Sequence, residues 1–296
     1  MTRRALIFGS SGQVGLALRA IAPSHFDVVA HDLGETDVRD ESAVVRTLDD
    51  VKPEIILNCA AFTAVDDAEA RPADAFSANA EAPGFIASHA THRGMRLVHV
   101  STDYVFDGRA HSPYLPTADV APINVYGSTK LEGERRVLAA NGKHVVVRTA
   151  WVHSGTGANF VKTCVRVLSN GMVMRVVDDQ FGSPTRALHL AAALWRIADQ
   201  PNVDAMLHFT DAGIASWYDV AVAVLDAMRL AGRAGEGADI VPVGTEEVPR
   251  PARRPQFSVL DKRSSWTSIG YLPPHWRSGV FASTGEVLGI RVSAGP

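Results

Sequence analysis

The segment Ala5-Leu-Ile-Phe-Gly9-Ser-Ser-Gly12-Gln-Val-Gly15 decides the fold of this chain of 296 residues. Its four apolar residues predict a short buried strand, and a glycine-rich loop follows the strand at once. Glycines at this place let the backbone turn tightly into a helix and approach a phosphate closely. The spacing is GxxGxxG rather than GxGxxG, so a βα turn without a ligand stays an alternative on this segment alone. As a ligand site, the segment would bind a dinucleotide through Gly9, Gly12, Gln13, Val14 and Gly15.

A carboxylate further along the chain favours the ligand site. Asp32 follows the second predicted strand about twenty residues beyond Gly12, where an acid accepts hydrogen bonds from an adenosine ribose. A carboxylate there repels a 2′-phosphate, which favours NADH, but His31 and Arg39 lie nearby and could offset some of that repulsion. The expected cofactor is therefore NADH or NADPH.

Short apolar runs alternate with amphipathic stretches along the first half of the chain. This pattern predicts an α/β fold with a doubly wound, Rossmann-like parallel sheet, buried on both faces. The candidate strands are Ala5 to Phe8, Phe26 to His31, Ile55 to Asn58, Leu97 to Ser101 and Val145 to Arg148. Further cofactor contacts are expected at the carboxyl ends of the second and third strands, from Asp37, Val38, Ala60, Ala61 and Thr63.

The regular alternation loosens after residue 150. We expect a dinucleotide-binding domain over residues 1–150 and a smaller C-terminal domain over residues 151–296. The second domain would mainly bind substrate, with some chain returning to the sheet. An amphipathic helix is expected near Asn159 to Leu168, and the Pro-rich stretch Val248 to Pro255 is expected to wrap the surface beside a site.

Composition excludes several classes of protein. A formal net charge of -3 gives no broad basic field, which argues against a nucleic-acid polymer as partner. The apolar run that ends at Gly9 is too short for a signal peptide or a membrane span, so we expect a cytoplasmic protein with no membrane partner. The two cysteines, Cys59 and Cys164, form no CxxC pair and are expected to be buried thiols.

Three residues carry the expected chemistry. Thr102 follows the fourth predicted strand, and Tyr126 and Lys130 are spaced four residues apart, which puts them on one face of a helix. An ammonium beside a phenol favours the phenolate, so Lys130 is expected to lower the pKa of Tyr126. Thr102 would hydrogen-bond the substrate oxygen, and the three together describe carbonyl reduction or alcohol oxidation.

The combination resembles the extended branch of the short-chain dehydrogenase/reductase superfamily. Longer stretches are similar to the dTDP-4-dehydrorhamnose reductase family and run in that family's order from Gly9 to Ser258. They include Asn58 to Asp66, Ser101 to Gly108, Asn124 to Glu134, Arg148 to Val152, Asp179 to Thr185 and Arg253 to Ser258. The resemblance therefore covers most of the chain.

The resemblance implies NAD(P)H-dependent reduction of the 4-keto group of dTDP-4-dehydro-L-rhamnose to dTDP-L-rhamnose. It also implies that Thr102 and Asp103 contact the substrate, that Tyr126 is the proton donor and Lys130 its partner, and that Trp151 forms a wall against the sugar. The pairs Asn159-Phe160 and Arg253-Arg254 are expected to hold the diphosphate, because arginine pairs with phosphate in a bidentate fork.

The same resemblance bears on metal and assembly. Some members are dimers bridged by magnesium through acidic residues, one of them in the first helix. This chain has Gly15-Leu-Ala-Leu18 there, so we expect no bound metal, while a homodimer stays open.

Two other functions stay open. The same three residues could serve a reductase or epimerase acting on another nucleotide-linked deoxysugar. A non-catalytic regulatory subunit of the same fold is the second alternative, and intact Thr102, Tyr126 and Lys130 argue against it. Dehydratases of this branch carry an Asp-Glu pair after the threonine, and Tyr104 stands here in place of the second acid.

Overall fold

A computed structural model of the chain describes residues 2–140 and 143–292. Short strands alternate with helices over most of these residues. The strands are β1 (Arg3–Phe8), β2 (Phe26–His31), β3 (Ile55–Asn58), β4 (Arg96–Thr102), β5 (Val145–Thr149), β6 (Val152–His153), β7 (Val173–Val177), β8 (Phe181–Gly182), β9 (Thr185–Arg186), β10 (Met206–His208), β11 (Ala215–Ser216) and β12 (Asp239–Val243).

The helices connect these strands and cover them. They are α1 (Gln13–Ala20), α2 (Glu41–Val51), α3 (Val65–Ala70), α4 (Pro72–Phe76), α5 (Ala82–His92), α6 (Val125–Ala140), α7 (Phe160–Ser169), α8 (Ala187–Asp199), α9 (Trp217–Leu230), α10 (Arg263–Ile269) and α11 (Trp276–Leu288). A π-helical turn, Ser77–Glu81, joins α4 to α5.

The central sheet has six strands in the order β10-β5-β4-β3-β1-β2, and its neighbouring strands are parallel. Neighbouring side chains on a strand point to opposite faces, so Leu6 and Ile7 of β1 enter different layers. Ile7 packs with Leu18 of α1 and Leu194 of α8 on one face. Leu6 packs with residues of α2, α5 and α6 on the other. The predicted doubly wound parallel sheet is confirmed, and we call its two layers together the sheet core.

The strand β10 is absent from the strands predicted from the sequence. It pairs in parallel with β5, with Leu207 opposite Val147. Its three residues include no β-branched side chain and no alternation, so the sequence carries little strand signal there. Burial against β5 and α8 makes this segment a strand.

A second core lies among α7, α9, α11 and the parallel pair of β7 and β12. Its buried members include Val161, Leu168, Val224 and Phe281. We call it the second core. Residues after 150 thus contribute both to the sheet, through α8 and β10, and to the second core, while the proposed division at residue 150 stays a prediction.

Each core contacts one cysteine, and the expected burial holds for Cys164 but not for Cys59, which is partly exposed because it follows the end of β3. Cys59 packs against the sheet core, and Cys164 belongs to the second core. Burial raises the pKa of both thiols to about 12. Both thiols are therefore uncharged at neutral pH.

Two properties of the described residues bear on partners. Within residues 2–140 and 143–292, no helix combines the length and the apolar character needed to span a bilayer. Over the same ranges, no cluster of three or more His, Cys, Asp or Glu side chains is placed to hold a metal ion.

Candidate active site

A cavity of about 790 Å³ lies at the carboxyl ends of the central strands, where ligands bind in open parallel sheets. The structure brings together along its wall almost all of the residues expected from the sequence. Those residues are Gly9, Gly12, Gln13, Val14, Gly15, Asp32, Asp37, Val38, Ala60, Ala61, Thr63, Thr102, Asp103, Tyr126, Lys130, Trp151 and Asn159. Arg254 lies outside this lining.

One end of the cavity, which we call the glycine half, is formed by the loop Gly9 to Gly15 together with Asp32. Gly9 has a φ of +77°, and a Cβ there would lie 2.6 Å from the backbone nitrogen of Ala60. A Cβ on Gly15 would lie 2.2 Å from the carbonyl oxygen of Gly9. Backbone cannot move aside, so both positions require glycine. The loop then opens into the N-terminus of α1, the arrangement that binds a phosphate, so the residues present fit a dinucleotide.

Asp32 lies directly after β2 and closes the glycine half. Its carboxylate accepts hydrogen bonds from the side chain of Ser11, from the backbone nitrogen of Ser11 at 2.6 Å and from that of Leu33 at 2.7 Å. Burial alone would raise its pKa, but these bonds outweigh burial and hold the pKa below the ordinary value. The carboxylate is ionised at neutral pH, as a ribose-binding acid must be.

Asp37 is also expected to contact the cofactor, but its carboxylate is already paired. It forms a bidentate ion pair with Arg39, with Nη2 to Oδ2 at 2.7 Å. Arg39 lines the same cavity. The guanidinium that could offset repulsion of a 2′-phosphate is thus held beside Asp37.

Tyr126 and Lys130 lie one helical turn apart on α6, and Thr102 ends β4. Burial raises the pKa of Tyr126 to about 12, a hydrogen bond with Thr102 opposes that rise, and the charge of Asp103 adds to it. The phenol is therefore protonated at neutral pH. A protonated phenol is the form that can give a proton to a substrate oxygen.

The expected lowering of the pKa of Tyr126 by Lys130 is not seen in this structure. The Lys130 Nζ donates to the carbonyl of Val100 at 2.7 Å and lies 3.3 Å from His99 Nε2. Thr102, and not Lys130, is the group that opposes the rise for Tyr126. The cause is β4 beneath the helix, where the Val100 carbonyl accepts a hydrogen bond from the Lys130 ammonium.

Asp103 is buried beside Thr102 at the edge of the cavity. Thr102 Oγ1 donates to its Oδ1 at 3.1 Å, and Ser258 Oγ donates to its Oδ2 at 2.5 Å. Burial raises the pKa of Asp103 to about 7, although both hydrogen bonds oppose the rise. The bond from Ser258 ties the segment that follows the Pro-rich stretch to the end of β4.

A second part of the cavity wall, which we call the aromatic half, is formed by Trp151, Phe160 and Trp217. The indoles of Trp151 and Trp217 stack with centroids 3.7 Å apart and planes 9° apart, and Phe160 meets Trp217 edge-on at 4.9 Å. Trp151 has a φ of +50°, which is unusual for a residue with a side chain. A Cβ on Gly182 would lie 2.5 Å from Trp151 Cε2, so the ring rests on that glycine.

Trp217 was not among the residues predicted for the site. It begins α9 inside a capping box, in which Ser216 and Asp219 exchange hydrogen bonds. The sequence Ser-Trp-Tyr-Asp therefore signals a helix start. Nothing in that signal indicates that Trp217 faces the cavity. Its stacking partner, Trp151, lies sixty-six residues earlier in the sequence.

Arg254 was expected to hold a diphosphate, but here its guanidinium pairs with Asp66. The nitrogens Nη1 and Nη2 lie 2.6 Å and 2.8 Å from the two carboxylate oxygens. This pairing holds the pKa of Asp66 below its ordinary value. Its neighbour Arg253 is exposed. The charge that a phosphate would use is thus satisfied within the chain by an acid of α3.

Asn159 was also expected at the diphosphate, and its side chain is largely engaged elsewhere. Its Oδ1 accepts from the Lys162 backbone at 3.0 Å and caps α7, while its Nδ2 donates to Gln13 Oε1 at 2.8 Å and to the Ser154 carbonyl at 2.9 Å. Capping of α7 is what fixes this asparagine. Gln13 and Asn159 thereby join the glycine loop directly to the start of α7.

The family model described as the RmlD substrate binding domain matches residues 3–288 of the chain. The chain belongs to this family. Among curated relatives, the dTDP-4-dehydrorhamnose reductase of Escherichia coli strain K12 is 39% identical over 292 residues, 96% of this chain and 97% of the relative. A Streptomyces antibioticus protein named probable dTDP-4,6-dihydroxy-2-methyloxan-3-one 4-ketoreductase is 40% identical over 288 residues, 96% of each chain.

A solved member of the group has the same architecture. The crystal structure of dTDP-4-dehydrorhamnose reductase from Bacillus anthracis in complex with NADP has a TM-score of 0.88 at 32% identity, covering 95% of this chain and 98% of that one. Membership in the RmlD substrate binding domain family confirms the resemblance drawn from residues 101–108 and 179–185.

Proposed function

We propose that this protein reduces the 4-keto group of dTDP-4-dehydro-L-rhamnose to dTDP-L-rhamnose with NADH or NADPH. The observation that carries the proposal is the meeting of Thr102, Tyr126 and Lys130 in the same cavity as the glycine half. Relatives at 39% identity that carry the reductase name support the choice of substrate. The protein is then an NAD(P)-dependent oxidoreductase of dTDP-rhamnose biosynthesis.

The cofactor would be held along the glycine half. Its phosphates fit the loop Gly9 to Gly15, and its adenosine ribose fits Asp32. Asp37, Val38, Ala60, Ala61 and Thr63 would flank it along the carboxyl ends of the strands. When bound, the reduced nicotinamide supplies the hydride. The complex of the Bacillus anthracis relative with NADP supports this choice of cofactor.

The residues of the chain supply the proton and hold the substrate oxygen. Tyr126 keeps its proton at neutral pH because burial raises its pKa, so the phenol can deliver that proton as negative charge develops on the carbonyl oxygen. Thr102 lies within hydrogen-bonding distance of Tyr126 and steadies the same oxygen. To favour the phenolate that remains, Lys130 on the next turn of α6 would turn its ammonium from the Val100 carbonyl toward Tyr126.

The aromatic half would receive the sugar. Trp151 and Trp217 present an apolar wall, and stacked indoles bind the less polar face of a sugar ring. The diphosphate would lie toward Asn159 and Arg254, with Arg254 leaving Asp66 to bind it. We assign Thr102, Asp103, Tyr126, Trp151, Asn159 and Arg254 to the substrate on this basis.

A second candidate is reduction of another nucleotide-linked deoxysugar. The observation that favours it is the Streptomyces antibioticus relative, which is 40% identical and is named for a different ketone. The sequence also leaves open an epimerase and a non-catalytic regulatory subunit. Tyr126 in its protonated form beside Thr102 argues against a subunit without chemistry.

A coupled assay tests the proposal. The purified protein is incubated with NADH or NADPH and dTDP-4-dehydro-L-rhamnose, and the loss of absorbance of the reduced cofactor is followed while the sugar product is identified by NMR. Oxidation of the cofactor with formation of dTDP-L-rhamnose is expected. A product of other stereochemistry would favour the second candidate, and no oxidation with any dTDP-4-keto sugar would favour the regulatory subunit.

The setting of the protein is part of the proposal. A cytoplasmic location suits an enzyme that draws on NAD(P)H and nucleotide sugars. A homodimer stays a prediction, and sedimentation of the purified protein with and without magnesium tests both the dimer and the expected absence of a bound metal.

A further inference from the structure

Lys130 is linked to the sheet beneath it by a chain of buried polar side chains. The Ala60 backbone nitrogen donates to Asn58 Oδ1 at 3.1 Å, Asn58 Nδ2 lies 3.1 Å from His99 Nδ1, and His99 Nε2 lies 3.3 Å from Lys130 Nζ. Asn58 and His99 are each 1% exposed, and Lys130 is 2% exposed. Asn58 and His99 are not among the residues that line the cavity.

The backbone at one end fixes the direction of every hydrogen bond in this chain. An amide N–H only donates, so Asn58 must offer its oxygen to Ala60 and its NH₂ group to His99. His99 Nδ1 must then accept and carries no proton. A neutral imidazole holds one proton, which therefore lies on Nε2 and points at Lys130.

A donor aimed at Lys130 favours one form of the lysine over the other. An ammonium has only donors, so its approach to an imidazole N–H is repulsive, whereas an uncharged amine has a lone pair that accepts it. The same amine still donates to the Val100 carbonyl at 2.7 Å. We propose that His99, oriented by Asn58, is a positioning residue that stabilises the uncharged amine of Lys130.

The other titratable groups that face Lys130, which are Glu134 and Cys59, raise its pKa and so favour the charged ammonium. Burial lowers its pKa to about 8, while Glu134 on α6 and Cys59 after β3 oppose that shift. The Glu134 carboxylate is bound by the Arg148 guanidinium at 2.7 Å and by Ser101, which reduces its field at Lys130. His99 is kept neutral by burial and by the lysine charge, since both lower its pKa.

The consequence for turnover rests on the proposed function. There the charge of Lys130 favours the phenolate that Tyr126 becomes, so turnover should fall as pH rises through the titration of Lys130. This fall is the alkaline limb of the pH profile of turnover. A substitution that reverses the direction of the hydrogen bonds in the chain should move the limb to higher pH. Titration of the lysine itself can be followed without substrate or cofactor.

Asn58→Asp reverses the chain with little change of shape. A carboxylate accepts both from Ala60 and from His99, so the imidazole proton moves to Nδ1 and the bare Nε2 faces Lys130 as an acceptor. The chain has five lysines, Lys52, Lys130, Lys143, Lys162 and Lys262, so spectra of ¹³C-lysine-labelled full-length protein are simple, and Lys130→Arg assigns the signal. We expect the titration midpoint of Lys130 to rise by about one pH unit or more.

A second background separates the hydrogen bond from the added charge. His99→Phe keeps a flat ring and removes both ring nitrogens, and alone it should raise the midpoint by about half a pH unit. In the His99→Phe background, Asn58→Asp acts by charge alone, so its effect should be less than half as large. His144→Gln changes a buried histidine bonded to Leu97 and Thr91 instead, and should leave the midpoint unchanged.

The outcomes are decisive for His99 whether or not the reductase activity is found. Equal shifts from Asn58→Asp in both backgrounds, or no shift from His99→Phe, would overturn the proposal. If Asn58→Asp does not fold, His99→Phe alone decides. Where turnover is measurable, the alkaline limb should move with the midpoint, and a limb that stays fixed while the midpoint moves would contradict the assigned role of Lys130 in catalysis.

Discussion

The glycine half and the aromatic half of the cavity are built from different kinds of contact. Around the loop, an added methyl group would meet backbone, at 2.6 Å for Gly9 and 2.2 Å for Gly15. In the aromatic half, a methyl group on Gly182 would meet the side chain of Trp151 at 2.5 Å. Backbone cannot yield, whereas an indole can turn or slide. The glycine half is therefore fixed for one ligand shape, and the aromatic half can be reset for different sugars.

The largest effect is expected at Tyr126, which lines the same cavity as both halves. Tyr126→Phe removes the proton donor and keeps the ring, so turnover should fall by about 10²-fold or more while cofactor affinity stays nearly intact. Steady-state kinetics and a cofactor titration measure the two quantities. Tyr218→Phe, on α9 and packed against the second core, is the matched control. A Tyr126→Phe enzyme that keeps more than about a tenth of normal turnover would remove Tyr126 as the acid.

Adding one methyl group to each half tests the comparison directly. Gly15→Ala forces backbone apart, so we expect cofactor affinity to fall about tenfold or more, with a loss of a few kcal/mol in stability. Gly182→Ala displaces the Trp151 ring, so the KM for the sugar should rise several-fold while cofactor affinity is kept. Fluorescence titration, initial rates and thermal unfolding measure these effects. Equal losses of cofactor affinity in both variants would break the distinction.

Substitution of Arg254 tests whether its guanidinium, which pairs with Asp66 in this structure, binds the substrate. Arg254→Ala should raise the KM for the dTDP-sugar about tenfold, or about 1.4 kcal/mol, and leave the constant for NADH within about twofold. Asp66→Asn frees the guanidinium and should leave the KM unchanged or lower it. A different pattern would contradict the assignment: equal drops in melting temperature for both variants, with no selective change in KM, would make the pair a structural link.

The smallest effect is expected at Asp32, within the glycine half. Asp32→Ala removes the carboxylate that favours a free 2′-hydroxyl and opposes a 2′-phosphate. The affinity for NADH should therefore fall several-fold more than the affinity for NADPH. Quenching of intrinsic fluorescence by each cofactor gives the two affinities. Because Asp32 also binds Ser11, Ser11→Ala is the control for disturbance of the loop. An unchanged preference between the cofactors would remove Asp32 from cofactor selection.

The sequence was informative where a fold demands particular residues at fixed spacing. The glycines after β1, the acid after β2, and the threonine after β4 are set by parallel-strand geometry, and each lines the cavity where expected. The strands β1 to β5 were predicted to within two residues because each is a short, mostly apolar run; four of them are largely buried, and the edge strand β2 is partly exposed. Local patterns of this kind can be read from one sequence.

Features that depend on pairing between distant segments could not be read in the same way. β10 becomes a strand through burial against β5, and Trp217 meets Trp151 only after the chain has folded. The pairing of Arg254 with Asp66 joins residues 188 positions apart. The sequence shows an arginine suited to phosphate, but it does not show which carboxylate lies beside it.

The two cysteines differ in exposure: Cys164 is buried in the second core, and Cys59 is partly exposed at the cavity wall. A thiol reacts as the thiolate, and a pKa near 12 leaves almost none at neutral pH, so both should be alkylated slowly. Alkylation of Cys164 must also wait for local opening of the second core, whereas Cys59 can be reached through the cavity. Protection of Cys59 but not of Cys164 by added cofactor would therefore report occupation of the cavity.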